Sequence, residues 1–147
     1  MQVPLGGRVL ELACANGALA ITAGRLGAAE VTMVDANARA IPLALRGAAR
    51  SELAGARALL LAEPRPAAIG GPFDLVVAAL PAALDPARLT EWVRAAHQVL
   101  REGGWLQLAG GPAAELAAVV QARFGQAQVR TVLGEPVVQA RRLAQLE

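Results

Sequence analysis

The sequence predicts a three-layer α/β fold, a doubly wound, mostly parallel sheet of about seven strands covered by helices. Three observations predict it. Short apolar runs closed by turn-like stretches recur along the chain. Segments with helical apolar spacing lie between them, giving five β–α repeats, and the chain then finishes in a pair of β-type segments. Strands alternating with helices imply parallel pairing, and right-handed crossovers leave few topologies. No linker, low-complexity tract or internal repeat divides the 147 residues, so one domain is expected.

Each element has its own signal. RVLELA (8–13) is an apolar run that reads as a buried strand. Asn16–Gly17 leads into the helical spacing of ALAITAGRLG, with Gly27 as a C-cap. EVTMVDA (30–36) is rich in β-branched residues and reads as strand two. Asn37 is an N-cap for a helix running to about Leu53. Pro42 conflicts with that start, because beyond the first turn it removes a hydrogen bond; the helix starts later or kinks. ARALLLA (56–62) is strand three, and the link Glu63-Pro64-Arg65-Pro66 replaces a full helix. FDLVVAAL (73–80) is strand four. From Asp85 to Arg101, Leu89, Trp92, Val93, Ala96, Val99 and Leu100 share one helical face, with Asp85 as cap and Pro86 at the first helical position. Glu102-Gly103-Gly104 is a turn into strand WLQLAG, Pro112 to Phe124 is a helix, and QVRTVL and PVVQARR are the last two strands.

Composition narrows the class. Hydrophobic residues make up 55% and charged residues 18%, enough apolar material for a core and too little charge for disorder. Charges or glycines interrupt every apolar run, so no membrane span is read, and the N-terminal MQVPLGGRVLEL has no signal-peptide pattern; a cytoplasmic protein is expected. All 14 basic residues are arginine, scattered from Arg8 to Arg142 without a nucleic-acid patch. The one cysteine, Cys14, reads as a small buried filler. His97, the one histidine, falls off the apolar face of its helix and reads as solvated. No metal-ligating set is read.

In a sheet of this kind ligands bind at the carboxyl ends of the strands, near the topological switch point. Three such ends carry chemistry. ACANG follows strand one, Asp35 ends strand two and Glu63 follows strand three. A carboxylate at the end of strand two can take both hydroxyls of a ribose, and an acid after strand three can meet an adenine amino group. A dinucleotide loop needs G-x-G-x-x-G for its pyrophosphate. In that frame this chain has Ala13, Ala15 and Ala18, so a nicotinamide-binding domain is disfavoured, and a Walker-type phosphate loop is absent.

GGRVLELACANGALA, EVTMVDANARAI, GPFDLVVAALP and LREGGWLQLAG together resemble the first, second and fourth-strand motifs, and the turn before strand five, of the class I S-adenosylmethionine-dependent methyltransferases. The resemblance covers nearly the whole chain. Its nearest flavour is the small-domain group that methylates guanine amines in ribosomal RNA, whose chains end in a segment similar to FGQAQVRTVLGEPVVQARR. It implies a Rossmann-like fold and S-adenosylmethionine as cofactor. By it Glu11 is the acid of the first motif, and Ala13, Ala15 and Gly17 occupy the three glycine positions, with Asn16 beside them. Asp35 is then the ribose acid and Glu63 the adenine-side acid. Ala79-Leu80-Pro81-Ala82 lies where amino-group methyltransferases carry Asn or Asp-Pro-Pro and an aromatic residue.

Two departures bear on function. Alanine at Ala13 adds only a methyl, but alanine at Ala15 puts a Cβ where backbone passes the cofactor. The loop tolerates it if Ala15 sits at negative φ with its methyl turned away. On the acceptor side, Ala79 offers no hydrogen-bond acceptor and Ala82 no ring, and Phe73, Phe124, Trp92 and Trp105 supply no evident base platform. Two readings follow: an N-methyltransferase acting on RNA or a small amine, or a catalytically silent domain of the same fold serving as scaffold or RNA or partner-binding module. Neither the methyl acceptor nor the oligomeric state is legible in the sequence.

Overall fold

The computed structural model describes residues 1–81 and 84–145. Seven strands form one sheet in the order β3-β2-β1-β4-β5-β7-β6. They are β1 (Arg8–Leu12), β2 (Glu30–Asp35), β3 (Ala56–Leu60), β4 (Phe73–Ala79), β5 (Leu100–Ala109), β6 (Gln128–Val132) and β7 (Glu135–Arg141). The first five pair in parallel, and β7 runs antiparallel between β5 and β6. The mostly parallel, three-layer α/β architecture expected from the sequence is therefore the one observed.

Alternation along the strands divides the core in two. Leu10, Leu12, Val76, Leu106 and Leu108 face α3 (Pro66–Ile69), α4 (Pro86–Val99) and α5 (Ala113–Phe124), which contribute Ile69, Trp92, Val93, Leu116 and Phe124. Val9, Met33, Leu75 and Val77 face α1 (Ala18–Arg25) and α2 (Ala40–Arg50), which contribute only alanines to the buried set. Small residues let these two helices lie close to the sheet, which draws the start of α1 down over β1. On that same side, β5, β7 and β6 carry no helix among the described residues. A groove of about 410 Å³ there is lined by Leu19, Val77, Trp105, Gln107 and Arg130, among others.

Several boundaries differ from the sequence expectation. Helix α2 begins at Ala40, so Pro42 is its third residue and lies in the first turn, where an N–H has no helical partner to lose. Asn37 does not cap it. Its side-chain oxygen accepts from the Arg39 N–H (3.0 Å) and its carbonyl from the Ala40 N–H (3.0 Å), a turn that delays the helix. The proline-rich link after β3 holds the single helical turn α3, anchored by fully buried Ile69. Asp85 caps α4 as expected, accepting from the Ala87 N–H at 3.1 Å.

Strand β5 starts at Leu100, directly after α4. Leu100 pairs with Phe73 and Trp105 with Leu75, so Arg101 to Gly104 loop outward between two paired positions instead of preceding the strand. The Arg101 guanidinium pairs there with Asp74, whose other oxygen accepts the Arg8 N–H at 2.8 Å. Burial pushes the Asp74 carboxyl up, but these partners outweigh it and hold the group below its ordinary value. The final hairpin turns at Leu133–Gly134, both at positive φ (51° and 81°), and β7 begins at Glu135, one residue ahead of the expected PVVQARR. Two such residues match the right-handed twist of the flanking strands.

Phe73 is fully buried at the start of β4, with the Arg8 guanidinium 5.2 Å from its ring centroid. Phe73→Ala is expected to lower unfolding free energy by about 3–5 kcal/mol, read as a fall in urea midpoint at unchanged m-value.

Candidate functional site

The strand order reverses at β1, which has β2 on one side and β4 on the other. The loops after β1, β2, β3, β4 and β5 all emerge at the carboxyl edge around that point. A crevice opens there because neighbouring connections run to opposite faces.

The loop after β1 is tied to β2 by one side chain. Asp35 accepts the Ala15 N–H on Oδ2 (2.9 Å) and the Asn37 N–H on Oδ1 (2.8 Å). The backbone adds Cys14 N–H to the Val34 carbonyl (2.9 Å) and Gly17 N–H to the Cys14 carbonyl (2.7 Å). Within this frame Ala13 (φ 51°), Ala15 (φ 47°) and Gly17 (φ 78°) all adopt the left-handed conformation. The alternative of a negative φ at Ala15 is not realised. Ala13, where the added methyl looked a modest change, is held at positive φ in the same way. For an alanine this conformation costs roughly 1–2 kcal/mol, so the Asp35 clasp and the strand ends impose a glycine shape on residues that resist it. Gly17 leaves no such latitude. A Cβ there would lie 2.6 Å from the Met33 sulfur and 3.3 Å from the Ala44 Cβ.

Glu11 acts from beneath the same loop. It is 3% exposed, and its Oε1 accepts the Ala20 N–H at 2.9 Å. Ala20 is the third residue of α1, whose N-cap is Gly17 and whose first turn carries no acid. A carboxylate from strand β1 thus takes the place of the missing capping side chain. Asn16 completes the set, its Oδ1 accepting the Ala18 N–H at 3.1 Å, and the Ile21 N–H reaches the Gly17 carbonyl at 2.9 Å. The Ala18, Ala20 and Ile21 amides are engaged internally, with the Glu11 carboxyl group below the first turn. A helix start closed in this way offers a pyrophosphate few free amides.

Burial pushes the Glu11 carboxyl from 4.5 up to about 7, against the lowering by the Ala20 and Leu19 amides, and the nearby Asp35 charge adds to the rise. Cys14 is 2% exposed, and burial first, then the Asp35 and Glu11 charges, push its thiol up to about 12. It is an inert filler, as its sequence context indicates.

The remaining predicted residues share the edge without touching this cluster. Glu63 lies three residues beyond Leu60, which is in register with Asp35; it is exposed, and its carbonyl accepts the Arg65 N–H. Ala79 is exposed at the end of β4, Leu80 is buried and Pro81 exposed, while Ala82 lies outside the described residues. The Leu80 N–H donates to the Ala109 carbonyl (2.8 Å), binding the loops after β4 and β5 together. Gly110 permits that approach: it sits at φ 81°, and a Cβ there would lie 2.4 Å from the Leu80 carbonyl oxygen. His97 corrects its sequence reading. It is half-buried, edge-on to Phe124 at 4.9 Å between centroids, and burial, then Arg142 and Arg123, hold it below its ordinary value. Trp105 is 38% exposed on the open half of the sheet, with the Arg141 guanidinium 5.8 Å from its ring. Sequence reasoning missed Glu11 as a remote helix cap; the signal was a glycine at the helix start with no acid in the first turn. It also missed Gly110, for which no local signal exists.

A family model described as a methyltransferase domain matches residues 9–104. The ribosomal protein L11 methyltransferase of Dechloromonas aromatica (strain RCB) is 38% identical over 102 residues, covering 69% of this chain and 31% of that protein. The same enzyme of Shewanella sp. (strain ANA-3) is 33% identical over 69% of this chain and 33% of its own length. Among solved structures, the T. thermophilus 16S rRNA N2 methyltransferase RsmC, in complex with AdoMet and guanosine, matches with a TM-score of 0.80. That match has 26% identity over 94% of this chain and 38% of that one. The L11 methylase of Lactobacillus delbrueckii subsp. bulgaricus shares the fold at a TM-score of 0.74, with 21% identity over 92% of this chain and 70% of that one. The chain spans about a third of the length of the curated relatives it matches. The fold is that of the class I methyltransferases, a family whose cofactor is S-adenosylmethionine. The chain belongs to the methyltransferase domain family. No helix among the described residues is long and apolar enough to cross a membrane.

The residues present fit that cofactor. The Asp35 carboxylate offers about four lone pairs and gives two to amides, leaving acceptors for a ribose diol. The loop above Glu11 has the backbone shape of a glycine loop and no demand for an anion.

Relieving the left-handed alanines should stabilise the fold. Ala13→Gly and Ala15→Gly are each expected to raise unfolding free energy by up to about 1 kcal/mol, after the greater chain entropy of glycine is set against the strain removed. Gly110→Ala is expected to lower it by about 2 kcal/mol or more by denaturant titration. Glu11 binds a proton more tightly folded than unfolded. Its contribution is therefore full below pH 4.5 and is lost as pH rises to about 7, a fall of up to about 3 kcal/mol that Glu11→Gln should abolish in stability measured from pH 4.5 to 8.

Proposed function

We propose that the chain binds S-adenosylmethionine at the carboxyl edge of β1 and β2 and transfers its methyl group to an amine of ribosomal RNA. The single observation that carries the cofactor half is the loop itself. Three left-handed residues and an acid clasp at Ala15 persist although two glycines have been replaced. Asp35 takes the ribose hydroxyls, the Ala13–Gly17 backbone lies against the sulfonium side, and Glu63 reaches the adenine edge. Relatives named as a 16S rRNA N2 methyltransferase and as methyltransferases of a ribosomal protein support a ribosomal target, and the compartment would then be the cytoplasm.

The cofactor brings a sulfonium-activated methyl; the chain's part is to orient the acceptor. Methyl transfer is an in-line displacement, so positioning supplies most of the acceleration. At the end of β4 that task falls to backbone groups around Leu80 and Pro81, fixed against β5 by the Leu80–Ala109 hydrogen bond. The exposed methyl of Ala79 supports a second reading, in which the domain holds cofactor or RNA without catalysing transfer.

Calorimetric titration with S-adenosylmethionine tests the first step. Saturable binding is expected, weakened about tenfold to a hundredfold by Asp35→Ala, the loss of one or two hydrogen bonds to a charged group. No binding at millimolar cofactor overturns the proposal. Binding without transfer of labelled methyl to ribosomal RNA selects the silent reading. Ala79→Asn supplies a side-chain acceptor, and a gain of transfer in that variant would place the deficit at this position.

A further inference from the structure

The half of the sheet without a helix on its α1 side presents a defined set of side chains. Register places Trp105 beside Arg141, then Gln107 beside Gln139, then Ala109, Val137 and Arg130, all on the face away from α4 and α5. Trp105, Gln107, Gln139, Val137 and Arg130 line the groove of about 410 Å³, a volume within the range of small-ligand sites. Trp105 is 38% exposed, and its ring bears the Arg141 guanidinium at 5.8 Å. Gln139 donates to the Gln128 side-chain oxygen at 3.3 Å, and no other hydrogen bond among the described residues engages the Gln139 or Gln107 side chain.

The groove carries charge of one sign. Neither Arg130 nor Arg141 has an acid within ion-pair distance among the described residues, whose ion pairs are Arg8–Glu30 and Arg101–Asp74. Glu135, opposite Val132 at the hairpin end, is the one acid in these rows and stands outside the groove. An exposed indole beside guanidinium groups, with side-chain amides between them, suits a ligand that is flat, hydrogen-bonding and anionic. A nucleobase stacks on such a ring, its edge meets the amides, and its phosphates meet the arginines. An apolar helix laid on the same face would have to desolvate Gln107, Gln139 and Arg130 without giving them partners.

We propose that this groove binds single-stranded RNA, with one base stacked on Trp105, Gln107 and Gln139 bonded to its edge, and Arg130 and Arg141 on the flanking phosphates. For the identity of the polymer this rests on the ribosomal RNA reading above. It goes beyond that reading in placing a second contact on the sheet face, where neither cofactor nor methyl transfer is needed. Trp105 lies four residues before Ala109 on β5, roughly 13 Å along the strand. Ala109 pairs with Ala79 at the end of β4. A strand held on Trp105 therefore runs up the groove to the edge where the acceptor is presented.

The test is binding of a fluorescently labelled oligoadenylate, followed by anisotropy at low salt and without cofactor. Saturable binding is expected. Trp105→Ala should weaken it roughly tenfold to a hundredfold, the loss of one stacked base, and Trp105→Phe should keep most of the affinity. Arg130→Ala should flatten the slope of log affinity against log salt by about 0.7, the share of one phosphate contact on a single strand. Duplex RNA, whose bases are already stacked, should bind more weakly. No saturable binding, unchanged affinity in Trp105→Ala, or equal affinity for duplex and single strand each overturn the proposal. So does a dimer in sedimentation that Trp105→Ala converts to monomer, because a second copy then fills the groove. If Trp105→Ala does not fold, NMR of the two indole N–H groups of the wild type decides. The Trp105 signal should move with RNA while that of buried Trp92 stays, and an unmoved Trp105 signal overturns the proposal. Failure here removes the groove site and leaves the cofactor reading standing, whereas failure of S-adenosylmethionine to bind removes the cofactor reading alone.

Discussion

The site depends on the hydrogen bond from the Ala15 amide to Asp35. It joins the loop after β1 to the end of β2 and holds an alanine at φ 47°. Two alanines in that conformation cost together a few kcal/mol, comparable to the contribution of several hydrogen bonds. Such strain persists only when surroundings over-determine it. Here they do: the Val34 carbonyl fixes Cys14, Asp35 fixes Ala15, and the packing of Met33 and Ala44 around Gly17 leaves one path for the chain.

Electrostatics at this edge point to a cationic guest. Asp35 and Glu11 are both acids, the Ala18, Ala20 and Ile21 amides of α1 are engaged, and burial pushes the nearest thiol, Cys14, well up. A helix N-terminus that elsewhere in doubly wound folds receives phosphate is here closed by the protein's own carboxyl group.

The acceptor side is built to a different standard. Leu80 and Gly110 bring the loops after β4 and β5 into contact, so the backbone there is well fixed, yet Ala79 ends in a methyl. Positioning by backbone alone places demands on the shape of the acceptor. The chain covers about a third of the length of the curated relatives it matches.

Fold class, strand order along the chain and the place of Asp35 at the end of β2 were legible in the sequence, because they rest on periodicity and on an acid at a strand end, both local properties. Boundaries failed where local signals competed. Asn37 was a plausible cap, but Asp35 drew its amide into a turn and let Pro42 fall in the first helical turn. The Gly103 loop sits inside β5 because Leu100 finds Phe73 before Trp105 finds Leu75, a long-range pairing. His97 reads as solvated on its own helix and is covered by Phe124 from another. Above all, the sequence fixes which residues fill the glycine positions, but only packing decides their dihedrals. Alanine prefers negative φ, and the Asp35 clasp with its neighbouring strand ends overrides that preference because the contacts it secures outweigh the strain.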